Sequence, residues 1–215
     1  MRMNKKQIIL VLAIFLIISL FNGPSIEAST QIRAGSLDYQ ENWIDLRDGV
    51  TIFWQEYEIT SERGEIDREE SITYLYENIE VIFDRGWINS DELVIYSERD
   101  ELVFTDNVFL NYQRETEDGD DEDNESLELT TSRLVYDTEA ETFEMEEDLE
   151  IKQPNRTIKA GAGTYNEVEE IFYLRSGVEI IEDDGDRIKS DTARIDLSEG
   201  DVFTAEGNVE IEIDM

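Results

Sequence analysis

No histidine and no cysteine occurs among the 215 residues. That excludes imidazole and thiolate metal sites, the Ser-His-Asp triad and a cysteine nucleophile. The chemistry that remains belongs to carboxylates, of which there are 54. Two facing carboxyl groups can serve as acid and base in sugar cleavage, but so large a supply marks out no particular pair. The densest group, Asp118, Asp120, Asp121, Glu122, Asp123 and Glu125, offers the hard oxygen ligands that calcium takes. It lacks the EF-hand spacing and the glycine at that loop's sixth position, and runs of like charge are ordinarily solvated loops. The sequence therefore assigns no metal, no cofactor and no enzymatic activity.

A second set of residues could act without bond chemistry. Ile52, Trp54, Val81, Phe83, Leu110, Tyr112, Ile151 and Ile180 recur at equivalent places and extend one apolar face. Such a face lines an apolar groove or fills a closed core, and the residues alone leave both open. Trp54, Phe83 and Tyr112 give way to Gln153, Glu182 and Ile213 in later copies, so any groove has its widest apolar wall in the first half.

The elements that must position this face are six copies of one pattern. Starting at Ile32, Ile59, Ile88, Leu129, Ile158 and Ile188, they read IRAGSLDY, ITSERGEI, INSDELVI, LTTSRLVY, IKAGAGTY and IKSDTARI. Each has an apolar start, a small residue two on, and Tyr or Ile seven on. About twenty residues later each copy carries a second apolar pattern of period two, such as Asn78-Ile79-Glu80-Val81 or Gly177-Val178-Glu179-Ile180. Alternation of this kind is what a strand with one buried face requires. A polar residue and a turn former precede it: Asp48-Gly49, Glu77-Asn78, Asp106-Asn107, Glu147-Asp148, Ser176-Gly177 and Gly207-Asn208. Gly, Asn and Asp tolerate left-handed backbone angles, so a bend or bulge is expected there in every copy.

The copies are spaced 27, 29, 41, 29 and 30 residues apart, and the long step holds the acidic insertion 115–126. Two strands per copy give about a dozen strands and an all-β fold in one domain. Because such repeats cannot bury a face alone they must stack, as a β-solenoid or an elongated two-sheet roll.

Residues 1–28 are expected to be a signal peptide: Arg2, Lys5 and Lys6, an apolar run over 8–21, then Ile26-Glu27-Ala28. As a helix that run spans only about 21 Å, against roughly 30 Å of hydrocarbon. The alternative is an uncleaved inner-membrane anchor. Removing Arg2, Lys5, Lys6 and Glu27 from the 18 basic and 54 acidic side chains leaves 15 and 53, a net charge of −38 for residues 29–215. Such a surface repels nucleic acid.

The repeats, above all IKSDTARIDLSEGDVFTAEGNVEIEI from Ile188 to Ile213, resemble the OstA-like (LptA) family of periplasmic lipopolysaccharide-transport proteins over residues 32–213. The family's closing G-N-V-x-I element stands in full only at Gly207-Asn208-Val209-Glu210-Ile211, so the resemblance rests on the repetition. It implies a twisted β-jellyroll of two antiparallel sheets, open at its ends, whose interior carries lipid A acyl chains between the membranes, in the periplasm. It also implies partners of the same fold, an inner-membrane LptC-like and an outer-membrane LptD-like component, or further copies of the chain, joined by strand addition at the ends. The edges expected to do this carry Ile32, Ala34 and Leu37 at one end and Val209, Ile211 and Ile213 at the other. A membrane-tethered LptC-like protein is the alternative within the system. A structural or adhesive β-solenoid with a closed core is the alternative outside it.

Overall fold

The computed structural model describes residues 16–17, 30–113, 126–198 and 202–214. The signal segment, apart from residues 16–17, and residues 115–125 of the acidic insertion lie outside the described residues. A two-residue strand, β1 (Leu16–Ile17), pairs antiparallel with the start of the repeats. Each copy then forms two long strands. The first is β2 (Gln31–Gln40) and β3 (Trp43–Trp54). The second is β4 (Tyr57–Ser61) with β5 (Arg63–Asp67), then β6 (Ile72–Phe83). β7 (Gly86–Tyr96) and β8 (Glu101–Gln113) form the third, and β9 (Ser126–Asp137) and β10 (Thr142–Gln153) the fourth. The fifth is β11 (Arg156–Asn166) and β12 (Ile171–Glu182); the sixth is β13 (Arg187–Asp196), then β14 (Val202–Glu206) with β15 (Glu210–Glu212). The strands pair antiparallel in chain order, with β4 and β5 sharing one place between β3 and β6, and β14 and β15 one place beside β13, so the chain is one all-β meander.

The repeat is legible in the register. The apolar residue that opens each copy joins its downstream partner in a single row across the sheet: Ile32, Ile52, Ile59, Val81, Ile88, Leu110, Leu129, Ile151, Ile158, Ile180, Ile188 and Ile211. The Tyr or Ile seven residues on joins a second row, in which Tyr136, Phe143, Tyr165 and Phe172 are consecutive members. Direct cross-strand pairs of this kind are the unit by which a sheet is stabilised. Slipping one strand by one residue would turn its whole apolar set to solvent.

Between the two rows the second strand of each copy turns a corner. Both residues of each expected turn pair have left-handed angles, for example φ of 63° and 85° at Asp48 and Gly49, 67° and 53° at Glu77 and Asn78, and 69° and 80° at Ser176 and Gly177. The register shifts there, as between Tyr76 and Ile79 or Arg175 and Val178. The bulge expected from sequence is present, and it is two residues long: the polar residue before the turn former is left-handed as well.

On the partner strand, the small residue two past the start of the copy sits at the corner. The hydroxyls of Ser61, Ser90, Thr131 and Ser190 donate to the carbonyl two residues on, and Thr131 also lies 2.8 Å from the Glu146 carbonyl. A kinked strand loses ladder bonds, and a buried unpaired carbonyl is costly; these hydroxyls occupy the gap.

The corner folds the meander into two layers. The first contains the Ile52–Val81–Leu110 row, the second the Ile44–Leu102–Phe143 row, and one continuous apolar cluster fills the space between them. The layers are staggered: Tyr57 of β4 meets Tyr136 of β9, centroids 6.1 Å apart, and Tyr112 of β8 meets Tyr165 of β11 at 5.8 Å.

The corner predicts an ordering of glycine substitutions. Gly177 has φ of 80° with nothing within 4 Å of an added Cβ, whereas a Cβ on Gly161 would lie 2.7 Å from Ser176 Cβ and 2.9 Å from its carbonyl oxygen. Gly177→Ala should cost about 1 kcal/mol, the backbone penalty alone. Gly161→Ala should cost more, about 2–3 kcal/mol, because two backbones must separate. Urea denaturation of both variants checks the order; equal losses would mean that the strands at the corner are not held in close contact.

Candidate functional site

Ile52, Trp54, Val81, Leu110, Tyr112, Ile151 and Ile180 are all buried on the inward face of the first layer, and Phe83 is half-buried against them. They divide into two groups. Ile52, Val81, Leu110, Ile151 and Ile180 belong to the long aliphatic row. Trp54, Phe83 and Tyr112 lie two residues further along their strands, towards the hairpin turns, in a chain of ring contacts: Trp54 to Tyr57 at 5.7 Å, Tyr57 to Phe83 at 6.4 Å and Phe83 to Tyr112 at 6.4 Å.

The opposite wall was not singled out from sequence. It is a stack of second-layer rings in which Tyr136 lies 4.1 Å from Phe143 and Tyr165 lies 4.3 Å from Phe172. Its signal was the Tyr seven residues into the fourth and fifth copies, legible as part of the repeat and not as part of a site. Between Leu110, Leu129 and this wall the interior leaves no room for a water molecule, and the side chains there are packed against one another.

The two sides of the sandwich differ. On one side the strands themselves pass from layer to layer through the corners. On the other only hairpin turns meet, and a cavity of about 600 Å³ opens at this seam. Tyr57, Phe83 and Tyr136 form its apolar wall, and Glu56, Asp84, Glu141 and Glu167, with Arg85, stand around it. A hydrogen-bonded chain crosses the seam: the Tyr57 hydroxyl donates to that of Tyr136 at 3.3 Å, and Tyr136 donates to Glu167 Oε2 at 2.8 Å. Beside it the Arg85 guanidinium donates to the Tyr112 hydroxyl at 2.9 Å.

Burial dominates the electrostatics. It pushes the Tyr57 hydroxyl up to about 12 and Tyr136 higher still, so both remain protonated donors. It also raises the Glu167 carboxyl above its ordinary value, partly offset by the hydrogen bonds from Tyr136 and Tyr112 and by the charge of Arg85. Among the described residues no three acidic side chains are arranged to hold a metal ion.

The predicted edges are brought to opposite sides of the sheet, although at the first β1 already pairs with β2 at Gln31 and Ile32. At the first end Ile32 and Ala34 pack against the core while Leu37 is 43% exposed; at the last, Val209, Ile211 and Ile213 are exposed, Ile211 to 64%. The uncovered row belongs to the second layer at the first end and to the first layer at the last end, as the stagger requires.

A carboxyl whose folded pKa is raised contributes stability that is fully present below its unfolded value, near 4.5, and is lost as pH rises through the folded value. Glu167→Gln removes that loss. Its melting temperature relative to the parent should rise between about pH 4.5 and pH 7. A difference that stays constant over the same range would mean that Glu167 is solvated.

A family described as lipopolysaccharide-assembly, LptC-related, matches residues 8–183. Among solved structures the chain is similar to LptH, the LptA-homologous periplasmic component of the lipopolysaccharide transport device of Pseudomonas aeruginosa. The TM-score is 0.52 at 7% identity, over 75% of this chain and 96% of that one. That likeness is one of fold, and it agrees with the two-sheeted jellyroll that the family resemblance implied. No curated protein matches the sequence. The family match spans more than three quarters of the chain and begins in the apolar run ahead of the repeats: the chain belongs to the LptC-related family of lipopolysaccharide-assembly proteins.

Proposed function

We propose that this protein is a lipid-carrying component of the lipopolysaccharide transport bridge, holding acyl chains non-covalently between its two layers in the periplasm. The observation that carries the reading is the aliphatic row running from Ile32 to Ile211 without a polar interruption and ending exposed at Ile211. Each methylene taken from water into such a row gains roughly 0.8 kcal/mol, and no member of the row offers a stronger hold than the next. A chain so bound slides with little net cost, and direction comes from an energy-coupled partner.

The ends supply the docking surfaces. An edge strand with free backbone groups recruits another strand. Exposed Leu37 on one end and Val209, Ile211 and Ile213 on the other lie in opposite layers, so a second jellyroll, whether an LptC-like or LptD-like partner or another copy, would complete both layers at the junction.

Within the system, the family match that takes in residues 8–21 favours the tethered LptC-like form over the freely diffusing LptA-like form. Among the described residues no helix is long and apolar enough to cross a membrane, and the run itself lies almost wholly outside them. N-terminal sequencing of the exported protein separates the two: a chain that retains residues 8–21 is the tethered component, and one beginning at Ser29 is not.

The lipid site is tested by photo-crosslinking to lipopolysaccharide from Val81, Leu110 or Ile151, with outward-facing Glu80 as control. Crosslinks at the three inward positions and none at Glu80 are expected. Their absence at every inward position, with lipid in excess, would leave a closed structural core.

A further inference from the structure

The seam is the weak side of the sandwich. All strand pairings run within the layers, and on the corner side the covalent chain also joins them. On the seam side, among the described residues, the layers are connected by side chains alone. Gln55, in the turn after β3, donates to Asp100, in the turn before β8, at 3.1 Å. Next to that bond runs the chain from Tyr57 through Tyr136 to Glu167. The cavity of about 600 Å³ lies at this point, within the size range of small-molecule sites. Its wall residues Tyr57 and Phe83 are the outer members of the aromatic row that leads through Tyr112 to the core. The cavity is thus the outer end of the interior surface.

We propose that this cavity is a lateral port through which a single alkyl chain reaches the interior, and that the Tyr57–Tyr136–Glu167 chain is the bolt across it. Opening it parts Tyr57 from Tyr136 and Tyr112 from Glu167, groups that water can solvate, and breaks no strand pairing. Burial already disfavours the Glu167 carboxylate, so exposure on opening returns part of what the lost bonds cost. The rim also selects the head that the chain carries. Glu56, Asp84, Glu141 and Glu167 outnumber Arg85 there, so a neutral or cationic head is accepted and an unmasked anionic one is repelled.

This inference rests on the carrier reading above, and one experiment separates the two. The chain has no cysteine, so a Gln55→Cys/Asp100→Cys variant of the full-length protein carries the only thiols. Bridged by a short bis-maleimide, it holds the two turns together; capped singly with N-ethylmaleimide, it leaves them free. Uptake and release of laurdan, a neutral probe with a lauroyl chain, are followed by the blue shift of its emission. The expected result is equal binding at equilibrium with at least tenfold slower uptake and release in the bridged form. Tyr136→Phe, which keeps the ring and removes its bonds to Tyr57 across the seam and to Glu167 beside it, should be several-fold faster than the parent. Equal rates in bridged and capped forms would overturn the port and leave uptake to the open ends. No binding to either form, or to the parent, would overturn the carrier reading and the port with it. Dansyl-undecanoic acid, with its anionic head, should enter more slowly than laurdan; equal uptake would overturn the selection at the rim.

Discussion

Everything in this molecule depends on a two-residue corner of left-handed backbone repeated in each copy. A twelve-residue strand of alternating polarity, left straight, would present one long apolar face with nothing to cover it. Two successive residues with positive φ bend the strand and place its two halves in different layers, so that strands far apart along the sheet meet across the core. The same alternating sequence then buries its apolar side twice, and one meander supplies both walls of its own core. A left-handed angle at a residue with a Cβ is uncommon and costs energy, which is why Asp, Asn, Ser and Gly dominate these positions. The local cost is spread over six corners and offset by the burial each corner makes possible, at roughly 1.5–3 kcal/mol per large apolar side chain.

The repeat, the period of two and the corner were legible in the sequence because each is a local property. Ile88 and Ile95 announce the two rows, and Asp106-Asn107 announces the bend between them. The stagger of the layers was not legible. Which first-layer strand meets which second-layer strand is set by sheet twist accumulated over several strands, and no spacing in the chain encodes it. The seam was hidden for the same reason: Tyr57 and Tyr136 are 79 residues apart, and only the stagger brings their hydroxyls together. Glu167 was hidden by composition, since one carboxylate among 54 acidic side chains carries no mark until its burial is known. Likewise Glu77 and Glu147 do not look like left-handed residues; the register of the bulge, and not their type, imposes it.

The acidic surface and the apolar interior answer each other. A sandwich open at both ends leaves Leu37, Tyr39, Ile211 and Ile213 in water, and exposed edges of that kind invite indiscriminate pairing. A net charge of −36 sets a long-range repulsion between copies that only a fitted junction, or a partner of different charge, overcomes. The surface ion pairs, such as Arg63 with Glu77 and Arg133 with Glu146, lie largely in solvent and contribute little to stability. The charge therefore governs association, and the two apolar rows govern the fold.

A core packed shut at its centre has to be reconciled with the passage of a lipid chain, and the distribution of bonds does this. The strands of each layer are held by their ladders, and among the described residues no ladder bond runs between layers except through the corners. Moving the layers apart at the seam therefore leaves secondary structure intact and gives up only side-chain contacts, chiefly among aromatic rings that an alkyl chain can replace at comparable burial. Moving them apart at the corner would require twelve-residue strands to straighten. The molecule has one rigid side and one that side chains alone hold closed, and an acyl chain inserted from the second takes the place of contacts that the protein already makes with itself.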